Sequence, residues 1–335
     1  MKVLGIESTA HTLGISVVEL KASDQEKPSR ENTRILANVI EKFPSTQEGY
    51  VPRKLADHHA RVFRKTLQKA LSQAKTNSLE LEAIAYSQGP GIGHCLHVGY
   101  VAAKAFSEFA GISLIPVNHA IAHVEIARFL TKAQDPLVVY LSGGNSQIFA
   151  LENKRYHVFG ETLDIGVGNL LDNVGRTLGL EPPDAVGVLK LASKGKKLLE
   201  LPYTVKGMSF AFAGMLTSLK KMRLRTLQEK ADACFSVQET AFSMVVEATE
   251  RCLCHTRNHE VLLCGGNARN KRLQQMLALM ACDHDARFCV APDEYNGDNG
   301  AMIAVTGLQM ACANTVSANK LPQQRIRIDS QKIEW

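Results

Sequence analysis

The chain has 335 residues, of which 45% are hydrophobic and 21% are charged, a composition typical of a soluble globular protein and not of a disordered one. At ~150 residues per domain, the length fits one large domain or two fused ones. No apolar run approaches the ~18 residues that a membrane span needs, and Met1 leads directly into a strand-like segment without a signal-peptide pattern. The net charge of +6 suits a nucleic-acid partner without requiring one. We therefore expect a cytoplasmic protein that does not bind membranes.

The N-terminal third predicts a hairpin of two buried strands, followed by further strands and helices. Residues 3–6 and 13–18 are rich in β-branched and apolar side chains, and the polar residues 7–12 between them predict a turn. The elements predicted after this hairpin are a charged loop at 21–34, a strand at 35–40, a helix within 48–75, a strand at 84–86, a tight loop rich in glycine and proline at 89–93, and a helix at 98–110.

The same pattern begins again near Pro136. Residues 137–141 predict a buried strand, 142–146 a polar turn and 147–151 a returning strand. Two hairpins of this kind, each followed by strands and helices, predict an α/β protein of two similar lobes that face each other. The later elements predicted are a helix at 238–256, a buried strand at 261–264 and an alanine-rich helix at 301–312.

Eight cysteines are scattered along the chain, and none forms a C-x-x-C pair. Without a secretory signal we expect these thiols to be reduced. Cys252 and Cys254, with His255 next to them, lie two residues apart in a predicted helix, so their side chains point to different faces. No second pair follows, and a zinc site is not expected there.

The strongest local signal for chemistry is the pair His119 and His123. Histidines four residues apart on a helix lie on one face, where their ring nitrogens can share one ion. Two histidines satisfied by core contacts would show the same spacing. The spacing also resembles that of zinc peptidases, whose mechanism requires a glutamate directly after the first histidine. Ala120 occupies that position, which argues against peptidase chemistry.

A metal ion would need ligands beyond the histidine pair. Asp298 lies in a glycine-flanked turn at the start of a predicted helix, where the backbone can approach a ligand closely. The alternative is an aspartate that only caps the helix, which is common at such positions. Tyr140, at the end of the strand in the second hairpin, could supply a phenolic oxygen.

Ser142-Gly143-Gly144-Asn145 predicts a turn whose backbone N–H groups could bind an anion such as phosphate. Residues 7–9 could do the same from the facing lobe, and Gly265-Gly266 directly follow a buried strand. Each of these signals is weak by itself because such turns are common, but together they favour a nucleotide cleft.

Other polar residues are less specific. The helical segment 57–61 could line a cleft or form a solvated face. We interpret His94, His97 and His255 as ordinary surface or core histidines.

In chain order, these segments resemble the tRNA threonylcarbamoyltransferase family, whose archaeal and eukaryotic members are the catalytic subunit of the KEOPS complex and were formerly described as O-sialoglycoprotein endopeptidases. The resemblance is closer to this branch than to the bacterial one. The matching stretches cover nearly the whole chain and are residues 5–12, 58–61, 87–93, 117–125, 140–147, 158–164, 201–208 and 298–304, with the final Trp335.

The resemblance implies a fold of two ribonuclease-H-like lobes of the actin–hexokinase–DnaK type that face a nucleotide cleft. Lobe I would comprise residues 1–115 and 305–335, and lobe II residues 116–304. One divalent metal ion, Fe²⁺ or Zn²⁺, would be held by four residues: His119, His123, Tyr140 and Asp298. The nucleotide or the threonylcarbamoyl-AMP would be bound by Tyr140, Leu141, Ser142, Gly143, Gly144, Asn145, Asp172 and Asn270.

The activity that the resemblance implies is acyl transfer. The threonylcarbamoyl group of threonylcarbamoyl-AMP would pass to the exocyclic amine of the adenosine next to the tRNA anticodon, with no covalent enzyme nucleophile. The expected partners are tRNA, the adenylate or an ATP- or ADP-like nucleotide, a kinase-like subunit and a small dimerising subunit.

The chain departs from the family pattern in four places. Ala185 and Leu189 stand where the family has a glycine and a ribose-binding glutamate. The other three departures are Ala211-Phe212-Ala213-Gly214, His97 and the loop Gly265-Gly266-Asn267-Ala268-Arg269-Asn270. A lost carboxylate hydrogen bond would cost ~1–3 kcal/mol of ligand affinity. A scaffold subunit without turnover therefore stays an alternative, as does an ATPase or phosphotransferase of the same fold, although Mg²⁺ prefers oxygen ligands to histidine.

Overall fold

A computed structural model describes residues 1–21, 28–45, 47 and 49–335 of the chain. The strands are β1 (Lys2–Glu7), β2 (Thr12–Leu20), β3 (Thr33–Lys42), β4 (Ala83–Gly89), β5 (Ser113–Asn118), β6 (Leu137–Leu141), β7 (Ser146–Glu152), β8 (Arg155–Glu161), β9 (Val205–Lys206), β10 (Ser209–Phe210), β11 (Glu260–Cys264) and β12 (Arg287–Val290). The α-helices are α1 (Pro52–Gln73), α2 (Gly93–Ala110), α3 (His119–Thr131), α4 (Val167–Thr177), α5 (Ala185–Ala192), α6 (Ala213–Lys221), α7 (Leu227–Thr256), α8 (Lys271–Asp283), α9 (Asp293–Asn296) and α10 (Gly300–Cys312).

Two five-stranded sheets share one topology. The first has the order β3-β2-β1-β4-β5 and the second the order β12-β11-β6-β7-β8. In each sheet a three-stranded antiparallel meander is extended by two strands that run parallel to its first strand. The prediction of two similar α/β lobes is therefore confirmed. The boundaries predicted for the two lobes, at 115/116 and 304/305, stay a prediction.

The predicted elements occur with shifted ends. Residues 22–27 of the loop predicted at 21–34 lie outside the described residues, as does residue 48 in the predicted helix 48–75. The last two residues of the predicted loop belong to β3. Helix α1 begins at Pro52 because proline suits the first helical turn. Helix α7 begins at Leu227, well before the predicted 238, because Thr226 and Glu229 form a capping box that starts a helix there. That motif was present in the sequence and would have shown the correct start.

Helix α3 lies between the two lobes. All of its residues from His119 to Ala127 are buried, on every side of the helix, which identifies a helix enclosed by protein. Its first residue directly follows β5 of the first sheet, and its side chains also enter the core beneath the second sheet. The histidine pair is thus placed where the two lobes meet.

Helix α10 packs against the first sheet through glycines. An added Cβ at Gly5 would lie 2.3 Å from the Gly300 carbonyl oxygen, and one at Gly300 would lie 2.5 Å from the Ser16 amide nitrogen. This close approach of helix and strands sets the position of the turn before α10, which carries Asp298. Among the described residues, no helix is both long and apolar enough to span a bilayer.

Candidate functional site

A cavity of ≈ 560 Å³ lies between the two lobes. The polar turn after β1 and the loop before α2 line it from one side, and the β6–β7 turn and the start of α4 line it from the other. Its lining residues include Thr9, Ala10, His11, Thr12, Lys42, Tyr50, His119, Tyr140, Ser142, Gly143, Gly144, Asn145, Asp172, Asp184, Asn267, Arg269 and Asp298. The structure thus brings most of the predicted site residues to one cleft.

His119, His123 and Asp298 form a compact donor cluster at the floor of this cavity. One ligand atom from each lies within 4.8 Å of the others. The Asp298 Oδ1 atom is 3.2 Å from His123 Nε2 and 3.7 Å from His119 Nε2. Both histidines are buried, and the Asp298 side chain is 17% exposed. Three of the four predicted metal ligands therefore converge. The alternative that Asp298 only caps helix α10 is wrong, because the side chain of Asn299 caps this helix.

Glu7 holds His119 from the side opposite Asp298. The His119 Nδ1–H donates to Glu7 Oε2 at 2.9 Å, and Glu7 is fully buried. The amide and the hydroxyl of Thr9 both donate to Glu7 Oε1, while the Ser8 amide donates to Ser87 Oγ. The prediction that the amides of residues 7–9 face an anion is wrong for Ser8 and Thr9, because these donors are already bonded within the protein.

The pKa values of the two histidines shift in opposite directions. Burial alone would lower the pKa of His119, but the charge and hydrogen bond of Glu7 and the charge of Asp298 raise it to about 9. Burial lowers the pKa of His123, and the nearby His119 charge lowers it further. Burial would raise the pKa of Asp298, but the hydrogen bond from His123 and the His119 charge hold it well below its usual range. Without a metal ion, the site thus holds two carboxylates, Glu7 and Asp298, against one imidazolium, and it keeps a net negative charge.

The donor set fits a transition-metal ion. Because Glu7 binds Nδ1 of His119, the Nε2 atom of that ring is left to face Asp298, which is the arrangement that carboxylates impose on metal-binding histidines. His123 Nδ1 is buried and has no hydrogen-bond partner among the described residues. The polar contact of this ring is therefore the one between its Nε2 atom and Asp298. Two imidazoles and one carboxylate suit Fe²⁺ or Zn²⁺ and suit Mg²⁺ poorly.

Glu7→Gln is expected to weaken metal binding by ~10-fold or more. Glutamine keeps the side-chain shape but removes the charge that makes the imidazole a better ligand. Its single carbonyl oxygen also cannot accept from both His119 and the Thr9 amide, which bond to different oxygens of Glu7. The measurement is a competition titration of metal-free protein with Zn²⁺ against a chelating dye. Glu19→Gln on the neighbouring strand β2 is the matched control, and equal affinities for both variants would contradict this role of Glu7.

Tyr140 is the penultimate residue of strand β6 and lies beside the donor cluster. Its ring centroid lies 5.5 Å from that of His123, and the residue lines the cavity although it is 1% exposed. Burial raises the pKa of its hydroxyl well above the usual value. A tyrosine ligand would need a cation to favour its ionised form, so its role as the fourth ligand stays a prediction.

The Ser142–Asn145 turn supplies free backbone donors. The Ser142 amide donates to the Asn145 carbonyl at 2.8 Å and closes the turn, and the Asn145 amide donates to Ser142 Oγ. Among the described residues, no acceptor is bonded to the amides of Gly143 and Gly144. Both glycines line the cavity, and no heavy atom lies within 4 Å of a Cβ added at Gly144. Both amides therefore lack a described acceptor within the protein, and their binding of an anion stays a prediction.

Of the three other residues predicted to bind the nucleotide, one lines the cavity and two do not. Asp172 lines the cavity and accepts the Ala185 amide at 2.9 Å, and burial raises its pKa. Leu141 lies in the core of the second lobe and is not among the cavity-lining residues. Asn270 caps helix α8 by accepting the Leu273 amide, and it too is outside the lining set. Its neighbours Asn267 and Arg269 occupy the cavity wall instead.

Several cavity residues were missed by sequence reasoning. The His11 and Tyr50 rings stack with centroids 4.9 Å apart and planes 11° from parallel. Burial, and then the charge of Arg269, lowers the pKa of Lys42, while Asp298 opposes this shift. Lys42 ends β3 and Tyr50 precedes α1. The predicted strand ended at residue 40 and the predicted helix included residue 50, so the predicted elements gave no signal for either residue. His59, from the segment 57–61, is buried and donates to the Ala10 carbonyl at 2.9 Å, which supports the cavity-lining turn.

Ala185 and Leu189, two residues that depart from the family pattern, lie in different environments. Ala185 lines the cavity, whereas Leu189 packs against the core of the second lobe. Asp184 lies in the cavity wall, but its carboxylate already caps α5 and accepts from the Ser45 hydroxyl at 2.6 Å. His97 is on the surface of α2, with its Nδ1 atom 2.7 Å from the Gly93 carbonyl oxygen. Leu189, where the resemblance implies a glutamate that binds ribose, is thus packed against apolar side chains.

None of the eight cysteines is joined in a disulfide. Cys252 is buried and Cys254 is exposed, as expected for residues two apart on a helix.

Comparison with known proteins gives a consistent result. A family model described as tRNA N6-adenosine threonylcarbamoyltransferase (TsaD) matches residues 34–305. A Staphylothermus marinus protein of that name is 44% identical over 99% of both chains, and a Thermococcus kodakarensis protein of that name is 43% identical over 100% of both. A Methanocaldococcus jannaschii protein, named a probable bifunctional tRNA threonylcarbamoyladenosine biosynthesis protein, is 46% identical over 92% of this chain and 55% of its own length.

Solved structures show a similar fold at low identity. HypF of T. kodakarensis superposes with a TM-score of 0.62 at 14% identity, covering 96% of this chain and 49% of that one. The activator of the 2-hydroxyisocaproyl-CoA dehydratase from Clostridium difficile, with bound ADPNP, gives a TM-score of 0.53 at 11% identity over 95% and 99% of the two chains. These likenesses concern the two-lobed fold alone.

Proposed function

Because this chain belongs to the tRNA N6-adenosine threonylcarbamoyltransferase family, we propose that it transfers the threonylcarbamoyl group of threonylcarbamoyl-AMP to the N6 amine of the adenosine next to the tRNA anticodon. One observation carries the proposal: a single cleft holds both a buried transition-metal donor cluster and a turn with two free backbone amides. The first suits polarisation of an acyl group and the second suits a phosphate or a developing oxyanion.

The reaction forms one bond and breaks one. The adenosine N6 nitrogen attacks the carbamoyl carbon, the bond from this carbon to the phosphate oxygen breaks, and AMP leaves with the electron pair. The N6 nitrogen loses one proton to solvent. No step requires a covalent enzyme nucleophile, and Ser142 in the cavity wall is not needed as one.

The chain's own residues bind and orient the donor substrate. The amides of Gly143 and Gly144 would donate to its phosphate or carbonyl oxygens, and Asp172 lies at the same wall of the cavity. Lys42 and Arg269 bring positive charge to the cleft, and this charge would attract the negative phosphate of an adenylate. His119, His123 and Asp298, with Tyr140 as a proposed fourth ligand, would hold one Fe²⁺ or Zn²⁺ ion. When bound, such an ion supplies Lewis-acid stabilisation of charge that develops on oxygen.

The chain is further proposed to act in the cytoplasm within a KEOPS-type assembly, with a kinase-like subunit and a small dimerising subunit. Two relatives named as probable bifunctional biosynthesis proteins support association with other activities. This chain covers 55% and 59% of their lengths, so each of them carries a further segment in the same chain.

Two other functions compete with this proposal. A phosphotransferase of the same fold would bind Mg²⁺, but the histidine-rich donor set opposes this. A scaffold subunit is favoured by one observation, the apolar Leu189 at the position of the family's glutamate. This departure affects nucleotide affinity more than metal binding, because Leu189 packs into the core and does not reach the donor cluster.

Transfer of labelled threonine into unmodified tRNA tests the proposal. The reaction contains bicarbonate, ATP, an enzyme that forms threonylcarbamoyl-AMP, and the partner subunits. Label is expected in a tRNA with adenosine next to the anticodon and not in a control transcript with guanosine there. Phosphate release without label would support the phosphotransferase. No label from folded, metal-loaded protein would contradict the proposal in favour of the scaffold.

A further inference from the structure

The positive charge of the chain is concentrated in one segment. Residues 190–230 contain ten Lys and Arg against two Asp and Glu, whereas the whole chain contains 39 against 33. This segment therefore has a net charge of +8, and the remainder of the chain is slightly negative. Such a concentration creates a local field that the modest overall charge conceals.

Most of these cations gather around the start of helix α7. We call eight exposed side chains the basic surface: Lys190, Lys194, Lys196, Lys197, Lys220, Lys221, Arg223 and Arg225. The first four come from the end of α5 and the loop after it, which is fastened to α7 because Asp232 accepts the amides of Lys196 and Lys197. The other four come from the end of α6 and the segment that leads into α7.

The acidic residues nearby do not neutralise this surface. Glu229 accepts the amides of Arg225 and Thr226, and Asp232 accepts those of Lys196 and Lys197. Both carboxylates are therefore used by the backbone. Among the described carboxylates, none lies within 4.0 Å of a cationic nitrogen of the basic surface. Eight unpaired cations on one face indicate a polyanionic partner.

The basic surface is continuous with the cleft. Helix α5 begins at Ala185, which lines the cavity, and ends at Ala192, directly before the first lysines of the loop. A helix of this length rises by about 12 Å. A nucleic acid whose base enters the cavity would therefore have its neighbouring backbone within reach of these side chains.

We propose that the basic surface binds the sugar-phosphate backbone of tRNA while one of its bases occupies the cleft. This inference rests on the proposed function for the identity of the nucleic acid. Lysine and arginine side chains of this kind contact phosphates without reading sequence, and so they set affinity and orientation. The capping box at Thr226 already bonds the first amides of α7, so the side chains and not the helix end provide the contacts.

A quadruple variant, Lys196→Gln/Lys197→Gln/Lys220→Gln/Lys221→Gln, tests this surface. Its affinity for unmodified tRNA is expected to fall ~10-fold or more at low salt, and the slope of log affinity against log salt is expected to decrease by ~3. The matched control replaces four exposed cations in and after α1, Arg64→Gln/Lys65→Gln/Lys69→Gln/Lys75→Gln, and is expected to keep the wild-type slope. Binding of threonylcarbamoyl-AMP should be the same in all three proteins.

The outcomes separate this inference from the proposed function. Equal tRNA affinity and slope for the two variants would overturn the inference, even where the wild type transfers threonine. Loss of assembly with the partner subunits and unchanged tRNA binding would overturn it too, since the surface would then bind protein. A wild type that binds tRNA through this surface but transfers no label would support the inference and contradict the proposed function.

Discussion

His123→Ala is expected to reduce threonylcarbamoyl transfer by at least ~100-fold, because it removes one of the two imidazoles that define the donor cluster. The bound metal should fall from one ion per chain to a small fraction, measured by elemental analysis after gel filtration. The control is His97→Ala, since His97 is exposed on α2 and outside the cavity. Full transfer by a metal-free His123→Ala protein would show that the ion has no part in the reaction.

The choice of His123 over His119 follows from their neighbours. His119 pairs with the fully buried Glu7, so its removal would leave an unpaired buried carboxylate at a cost of ~3–5 kcal/mol. His123 contacts Asp298 through Nε2, and its Nδ1 atom has no partner among the described residues. The His123 variant therefore tests the chemistry, whereas His119→Ala would combine lost chemistry with lost stability.

Gly300→Ala is expected to lower the free energy of unfolding by ~2–4 kcal/mol. Its Cβ would lie 2.5 Å from the Ser16 amide nitrogen and 2.7 Å from the Ile15 carbonyl carbon, and these backbone atoms cannot rotate away. Helix α10 must then move from the first sheet. Asp298, two residues earlier, would move with it, and metal affinity should fall in parallel.

Urea unfolding of the metal-free protein measures this effect. Gly266→Ala is the matched control, because an added Cβ there has no heavy atom within 4 Å, and its stability should stay within ~0.5 kcal/mol of the wild type. Equal unfolding midpoints for the two variants would mean that the contact of α10 with β2 relaxes without cost.

Much of the fold was predictable because the signals are local. Both hairpins, the histidine helix and the glycine turn depend on side-chain periodicity and turn chemistry within a few residues, and all are present. The spacing of His119 and His123 alone required that both rings share one helix face. The predicted start of α7 is wrong although the capping box of Thr226 and Glu229 is a sequence signal for a helix start. The positive charge of residues 190–230 can also be counted in the sequence.

The composition of the site depended on contacts between distant segments. Glu7 meets His119 from 112 residues away, and Asp298 meets His123 from 175 residues away. Neither pairing follows from spacing. The first depends on the order of the strands in the first sheet, and the second depends on the approach of α10 to that sheet. The structure likewise assigned Arg269 to the cavity wall and Asn270 to a helix cap.

Local sequence patterns were therefore enough to place two strand hairpins, a helix with its histidine pair and a glycine turn. Three features required the packed structure: the carboxylates that complete the cluster, the cations that enter the cleft, and the meeting of the basic residues of α5 and α6 at α7. The physical reason is that hydrogen-bonding and hydrophobic periods act over a few residues, whereas a binding site is assembled by the packing of segments that are far apart in the chain.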